Sequence, residues 1–160
     1  IDAVFIPDIY STVGLIAPQL RFYDIKDVLL LGTNLWHSER LIEISRKYVQ
    51  GALIPDAFYL DSNKKNVVDF INRYEDAFQE KPTFIEAVAF DTAMMLFKAV
   101  DMPDIKSRKE LRDYFQNKRN YDGVTGLTSF KVNGEVDKKL YLFRIVKDKF
   151  VDVEDYYNLN

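Results

Sequence analysis

The opening IDAVFIPDIYSTVGLIAPQLRFYDIKDVLLLGTN constrains the fold more than any other stretch of the chain. Ile1 to Pro7 is a short apolar run that stops at Pro7-Asp8. Ser11 or Thr12 is placed to cap a helix whose apolar positions include Val13, Ile16, Leu20 and Tyr23. Asp24 to Asp27 breaks that pattern, and Val28 to Leu31 is a second apolar run ending at Gly32. Two fully apolar strands joined by an amphipathic helix predict a βαβ unit with a buried parallel pair. In open α/β sheets, ligands sit outside the carboxyl ends of the strands. Those ends are Asp8-Ile9-Tyr10-Ser11 and Thr33-Asn34-Leu35-Trp36. A location for function is therefore readable before any chemistry is.

The pattern continues downstream. Ser38 is a plausible N-cap for a helix to about Tyr48, with Leu41, Ile42 and Ile44 as candidate inward positions. Val49 to Ile54 reads as a third strand, ending at Pro55-Asp56, and Phe58-Tyr59-Leu60 as a further extended segment. A helix follows from about Lys64 to Glu80, with Val67, Phe70, Ile71, Tyr74 and Phe78 at helical spacing and Lys81-Pro82 as its stop. Phe84 to Val100 is a very apolar helix, and Ser107 caps a shorter, charged one to about Asn117. The remainder reads as β: Gly126 to Val132, a hairpin signal at Asn133-Gly134, a strand from Lys139 to Val146, and a last strand Phe150 to Val153. The polar EVDKK stretch after the Asn-Gly pair can lengthen that connection. The order βαβαβ, three helices, then strands leaves the apolar helix with too few strands to cover it.

Composition narrows the function classes. The net charge of −3 gives no general drive toward nucleic acid or an anionic membrane surface. No apolar run approaches the roughly 20 residues needed to span a bilayer. With no cysteine, disulfide and thiol chemistry are excluded within the chain. His37 is the only histidine, so no His-pair metal site can be assembled from these residues. The sequence carries no GxSxG elbow, Walker loop, HExxH or GxGxxG. We therefore expect neither an enzyme nor a bound cofactor or metal. The charged run Arg108, Lys109, Arg112, Lys118, Arg119 is interleaved with Asp104, Glu110 and Asp113 and reads as a solvated face. Asp56 and Asp61 read as solvated loop carboxylates. The abrupt start at Ile1, without an initiator Met, leads to the expectation of a fragment of a longer polypeptide.

Five segments in order carry a family resemblance: DAVFIP, GLIAPQLRFYDI with VLLLGTN, VQGALIPDAFY, INRYEDAFQEKPTFIEAVAFDTAMML, and YDGVTGLTSFKVNGEVDKKLYLFRIVKDKFV. The chain resembles the type I periplasmic binding proteins, in their leucine/isoleucine/valine-binding branch, over nearly its whole length. The fold this implies is α/β, with parallel-sheet lobes, flanking helices and three crossings between two lobes. The chain would be the C-terminal portion: residues 1–54 in the second lobe, 55–131 returning to the first, 132–153 crossing back, and 154–160 a tail. The run IAPQLRFYDIKDV is also similar to the corresponding helix of the lipoprotein activators of penicillin-binding proteins.

The resemblance implies candidate ligand-binding residues. Tyr10 matches a ligand-contacting tyrosine of the branched-chain receptors; the plain alternative is an aromatic packing at a strand end. Asn34 stands where those receptors carry a glutamate that holds the ligand's ammonium group. An amide accepts a hydrogen bond but supplies no opposite charge, so this departure argues against an ordinary α-amino acid ligand. Asp8 is near enough to substitute as the carboxylate, or else it caps the following helix. Ser11 and Thr33 complete the polar set. Trp36 is placed either to stack on a ligand or to plug the interlobe surface.

Two functions follow from the resemblance. One is a non-enzymatic extracytoplasmic solute receptor of the ABC-transporter type, closing over a small polar, amino-acid-like ligand, with a membrane permease as partner. The other is a lipoprotein regulator that binds a penicillin-binding protein and needs no small ligand. Either implies a periplasmic or outer-membrane-anchored location, a missing N-terminal half as structural partner, and self-association of the isolated fragment through its uncovered apolar face.

Overall fold

The structure, a computed structural model, describes residues 1–117 and 120–158. In chain order the elements are β1 (Ala3–Phe5), α1 (Tyr10–Phe22), β2 (Leu29–Leu31), α2 (Glu39–Ser45), β3 (Leu53–Asp56), α3 (Lys65–Phe78), α4 (Phe84–Val100), α5 (Arg108–Asn117), β4 (Tyr121–Gly123), β5 (Gly126–Phe130), β6 (Val136–Lys138), β7 (Tyr141–Val146), β8 (Lys149–Asp152) and α6 (Val153–Asn158). They divide into two compact units, one formed by Ile1–Asp56 with Tyr141–Asn160 and the other by Ala57–Leu140.

The first unit holds a five-stranded sheet in the order β1-β2-β3-β7-β8. The predicted βαβ unit is present: β1 pairs parallel with β2, in the register Ala3↔Leu29 to Phe5↔Leu31, and β2 pairs parallel with β3. β7 then adds antiparallel to β3, from Leu53↔Arg144 to Asp56↔Tyr141, and β8 antiparallel to β7. The core is made by Val13, Trp36, Leu41, Val49, Ile54, Phe143 and Ile145. α1 docks through Val13, Gly14 and Ala17. Its small side chains let α2 approach closely, and a Cβ on Gly14 would sit 2.9 Å from Ile44 Cγ2.

Several local expectations are displaced. α1 begins at Tyr10, one residue before Ser11, with Ile9 at the N-cap and no side-chain cap. Asp8 instead accepts the Ile9 amide at 2.7 Å. Tyr23 lies past the end of α1 and is exposed, as is Ile44 on α2. Residues 46–49 form a 3-10 turn, so β3 starts at Leu53 rather than near Val49. β1 is an edge strand with Phe5 largely exposed, so its apolar character does not mean burial on both faces here.

The second unit packs α3, α4 and a small sheet, β4-β5-β6, around Phe58, Val67, Phe70, Ala87 and Val124. Phe58 to Leu60 are not a strand; Phe58 inserts into this core, edge-on to Phe70. α4 has the predicted limits, with a capping box in which Thr83 Oγ1 accepts the Ile85 amide and the Glu86 carboxylate accepts the Thr83 amide. Ile85, Val88, Leu96, Phe97 and Val100 of this helix remain exposed. Ser107 caps α5 as expected: its hydroxyl accepts the Glu110 amide and donates to the Glu110 carboxylate. The Asn-Gly turn does make a hairpin, but its second strand is β6, Val136–Lys138, which pairs Phe130↔Val136. The polar stretch read as connection is therefore strand. That pairing keeps residues 132–140 in the second unit, and the chain rejoins the first at Tyr141.

A buried carboxylate ties this unit together. Asp91, in the middle of α4, accepts the Val124 and Thr125 amides at 2.8 Å each and also the Thr125 hydroxyl. Lys138 donates to the Thr125 and Thr128 hydroxyls at 2.5 and 2.7 Å. Burial holds the Lys138 ammonium below its usual pKa, and the Asp91 charge opposes that shift.

Candidate functional site

The parallel arrangement of β1, β2 and β3 places their carboxyl ends on one edge of the first unit, and most of the predicted site residues lie there. Asp8 and Tyr10 follow β1, both half-buried, and Ser11 is exposed on the first turn of α1. Thr33 and Asn34 follow β2 and are half-buried. The chain here makes a 3-10 turn over Asn34–Trp36, opened by Thr33, whose Oγ1 accepts the Leu35 amide at 3.3 Å. Thr33 and Asn34 carbonyls accept the Trp36 and His37 amides at 3.0 Å each. The loop is therefore a closed local structure and not a slack connection.

Trp36 is fully buried, and its indole Nε1–H donates to the Ile6 carbonyl at 3.1 Å. A Cβ on Gly32 would lie 2.3 Å from its ring, so only glycine lets β2 end directly over the indole. Of the two expected roles, neither stacking on a ligand nor plugging the interlobe surface fits a side chain with no exposure. Trp36 is core, and it holds the loop after β2 against the end of β1.

A second tie went unrecognised in the sequence. His37 Nδ1 lies 2.5 Å from Asp56 Oδ2 at the end of β3. A carboxylate only accepts, so Nδ1 is the donor. Asp56, expected to be a solvated loop carboxylate, has a side chain only 2% exposed, and that of His37 is 22% exposed. The imidazole packs against Phe143 and Phe150, with ring centroids at 4.8 and 4.6 Å. The available signal was a carboxylate ending an apolar strand, together with the sole histidine. Their 19-residue separation hid the pairing.

Two cavities lie elsewhere. One of about 360 Å³ in the first unit is lined by Arg21, Lys26, Asp27, Val28, Lys47 and Tyr48, at the amino ends of the strands. One of about 530 Å³ in the second unit is lined by Met95, Lys98, Tyr114, Phe115, Tyr121 and Phe130, among others. In it the Lys98 ammonium sits over the Tyr121 ring at 5.2 Å, and burial, then Asp91 and Asp122, raise the Tyr121 pKa. Neither cavity includes a residue of the strand-end edge. Among the described residues, no group of three or more acidic, histidine or cysteine side chains could hold a metal ion.

Comparison with known proteins places this architecture. Residues 1–149 match the family model described as periplasmic binding protein, and the chain belongs to that family. Its fold is the type I, leucine/isoleucine/valine-binding-like form. Among solved structures it resembles a Rhodospirillum rubrum protein assigned to branched-chain amino acid ABC transport, with 24% identity and a TM-score of 0.84 over 95% of this chain and 44% of that one. It also resembles the branched-chain amino acid substrate-binding protein LivJ of Streptococcus pneumoniae in complex with isoleucine, at 22% identity and a TM-score of 0.71, covering 93% and 42%. A third is a solute-binding protein of R. palustris in complex with benzoate, at 16% identity and a TM-score of 0.68, covering 95% and 42%. The chain spans less than half the length of each of these proteins. No curated protein matches it.

Proposed function

We propose that this chain is the C-terminal portion of a non-enzymatic, extracytoplasmic solute receptor of the ABC-transporter type. It contributes Asp8, Tyr10, Ser11, Thr33 and Asn34 to a site for a small polar ligand, and a membrane permease takes the ligand onward. The observation that supports this reading is the position of those residues just past the carboxyl ends of two adjacent parallel strands, with the turn after β2 fixed by its own hydrogen bonds. Family membership and the branched-chain amino acid relatives support the receptor role. Within that role, Asn34 points away from ordinary α-amino acids, because it brings no charge to an ammonium group. The isoleucine and benzoate complexes of two relatives are consistent with a fold that takes ligands with or without an ammonium group.

The test is a thermal-shift screen of the full-length protein against amino acids and small carboxylates, followed by calorimetric titration of any hit. A ligand at a hundred times its Kd adds about 2.7 kcal/mol to stability, which such a screen reads as a clear rise in Tm. Tyr10→Ala should weaken that ligand roughly tenfold while leaving the unliganded Tm nearly unchanged. Undiminished binding by Tyr10→Ala would move the site away from this edge. A protein that responds to no small ligand and instead captures a penicillin-binding protein would favour the regulator.

A further inference from the structure

The loop that follows β2 is held from two sides by residues that do not belong to the polar set. On one side the Trp36 indole donates to the Ile6 carbonyl, joining the loop to the end of β1. On the other, His37 donates to Asp56, joining it to the end of β3. Thr33 and Asn34 lie immediately before these two anchors. The anchors differ in kind. The indole is locked by burial and by contact with Gly32, so its place is set by packing. His37 is partly exposed and touches two rings, Phe143 and Phe150, that would accept many apolar side chains. Its particular contribution is the donor aimed at a buried carboxylate. A hydrogen bond to a charged acceptor is roughly twice as strong as one between neutral groups, and it is directional. Asp56 also pairs with Tyr141, the residue at which the chain re-enters the first unit, so the acceptor sits on well-fixed backbone.

We propose that the His37–Asp56 pair is a clasp that sets the conformation of the Thr33–His37 loop, making His37 a positioning residue for Thr33 and Asn34. This assignment rests on the reading of the strand-end edge as the ligand site, but the clasp itself has a readout that needs no ligand. Trp36 is the only tryptophan in the chain, and it lies inside the loop. The amides of Leu35, Trp36 and His37 are all bonded within the loop, whereas those of Ile6 and Gly32 are bonded to neighbouring strands.

Two variants separate the donor from the ring. His37→Leu keeps apolar bulk against Phe143 and Phe150 and removes the donor. His37→Asn removes the ring and keeps a donor close to the position of Nδ1. In His37→Leu, the Leu35, Trp36 and His37 amides should exchange with deuterium roughly tenfold faster or more, with Ile6 and Gly32 changed far less. Acrylamide should quench Trp36 more readily in the same variant, and His37→Asn should restore most of the protection. A uniform rise in exchange across the first unit would show a purely structural role and overturn the clasp. So would full protection in His37→Leu, or equal loss in His37→Leu and His37→Asn. Titration of the full-length protein with L-isoleucine and with benzoate then addresses the edge separately. If a probe binds and Tyr10→Ala abolishes its binding, His37→Leu should weaken it as well, and unchanged affinity would overturn the positioning role. If a probe binds and Tyr10→Ala is silent, the assignment of the edge fails while the exchange result still decides the clasp.

Discussion

Removing the Asp91 carboxylate should be the most damaging single truncation in the second unit. Asp91 is 2% exposed and receives the amides of Val124 and Thr125, which are themselves buried. Asp91→Ala takes the acceptor from both amides in a place where water has little room to replace it. Each buried donor left without its acceptor costs about 1–3 kcal/mol, which gives about 2–6 kcal/mol for the pair. We expect about 4 kcal/mol, near the middle of that range. A buried charge can sometimes be replaced by apolar residues at no loss, but only when its partners are replaced with it. Here two of the three partners are backbone amides and cannot be removed, and only the Thr125 hydroxyl belongs to a side chain. Asp91→Asn keeps one acceptor oxygen and turns an amino group toward a donor, so it should cost about half as much, roughly 2 kcal/mol.

The assay is native-state amide exchange, read at Val124 and Thr125. A loss of 4 kcal/mol corresponds to a roughly thousandfold fall in protection. Amides of β2 and β3 in the first unit serve as an internal reference. Gly123→Ala tests the same contact from the other side, because its Cβ would lie 2.3 Å from Asp91 Oδ2. The two changes strike one interaction and should be strongly non-additive: Gly123→Ala should cost much less in the Asp91→Ala background. Protection that falls less than about tenfold in Asp91→Ala, or costs that simply add, would refute the account of the turn as held by this carboxylate.

Three further expectations follow. Gly32→Ala drives a methyl into the fully buried Trp36 ring and should destabilise the first unit by about 1–3 kcal/mol, seen as a lower Tm and a shifted Trp36 emission. Thr83→Ala removes the cap of α4 and should cost about 1 kcal/mol at neutral pH. The Thr83 hydroxyl is the main reason the Glu86 pKa is depressed, so the carboxylate's share of this cap is present above the ordinary glutamate value of 4.5 and is lost as pH falls through the lower folded value. The gap between wild type and Thr83→Ala, measured by thermal melts, should therefore narrow in acid. Asn34→Glu in the full-length protein should strengthen binding of leucine or isoleucine by roughly tenfold or more if the rest of an ammonium site is present. Tight binding of either amino acid by the unaltered protein, measured by calorimetry, would show that another carboxylate serves the ammonium.

What could be read from the sequence was what lies close together along it. The limits of α4 follow from the extent of the apolar run Phe84 to Val100, which ends before Pro103, and β1, β2 and the helix between them follow from local periodicity. The hairpin turn was legible from Asn133-Gly134, but its second strand was not. Val136-Asp137-Lys138 is polar in two of three positions and exposed at two. A strand with so little burial leaves no alternation to detect. Lys138, which anchors its end through Thr125 and Thr128, looks like an ordinary surface lysine until the hydroxyls are placed beside it.

The candidate site divides along the same line. The proposed ligand roles of Tyr10 and Asn34 come from the family resemblance; the placement of Asp8, Tyr10, Thr33 and Asn34 was legible because the carboxyl ends of parallel strands are marked by where apolar runs stop. The frame that holds them was not. Trp36 meets Ile6 across 30 residues and His37 meets Asp56 across 19, and no periodicity records such pairs. An exposed-looking Trp-His dipeptide after a strand invites a ligand-stacking interpretation. Burial reverses it, because an indole with a satisfied N–H and no exposed face has no surface left to offer. In the proposed site, that leaves recognition to the smaller polar groups. Thr33 and Asn34 lie just before two anchored residues, so their freedom to reorient toward a ligand is limited by the Trp36 and His37 ties. On the proposed reading of this edge as the ligand site, selection would rest on fixed hydrogen-bond geometry more than on adjustment of the loop. That is why substitutions at His37, outside the polar set, should be felt at Thr33 and Asn34.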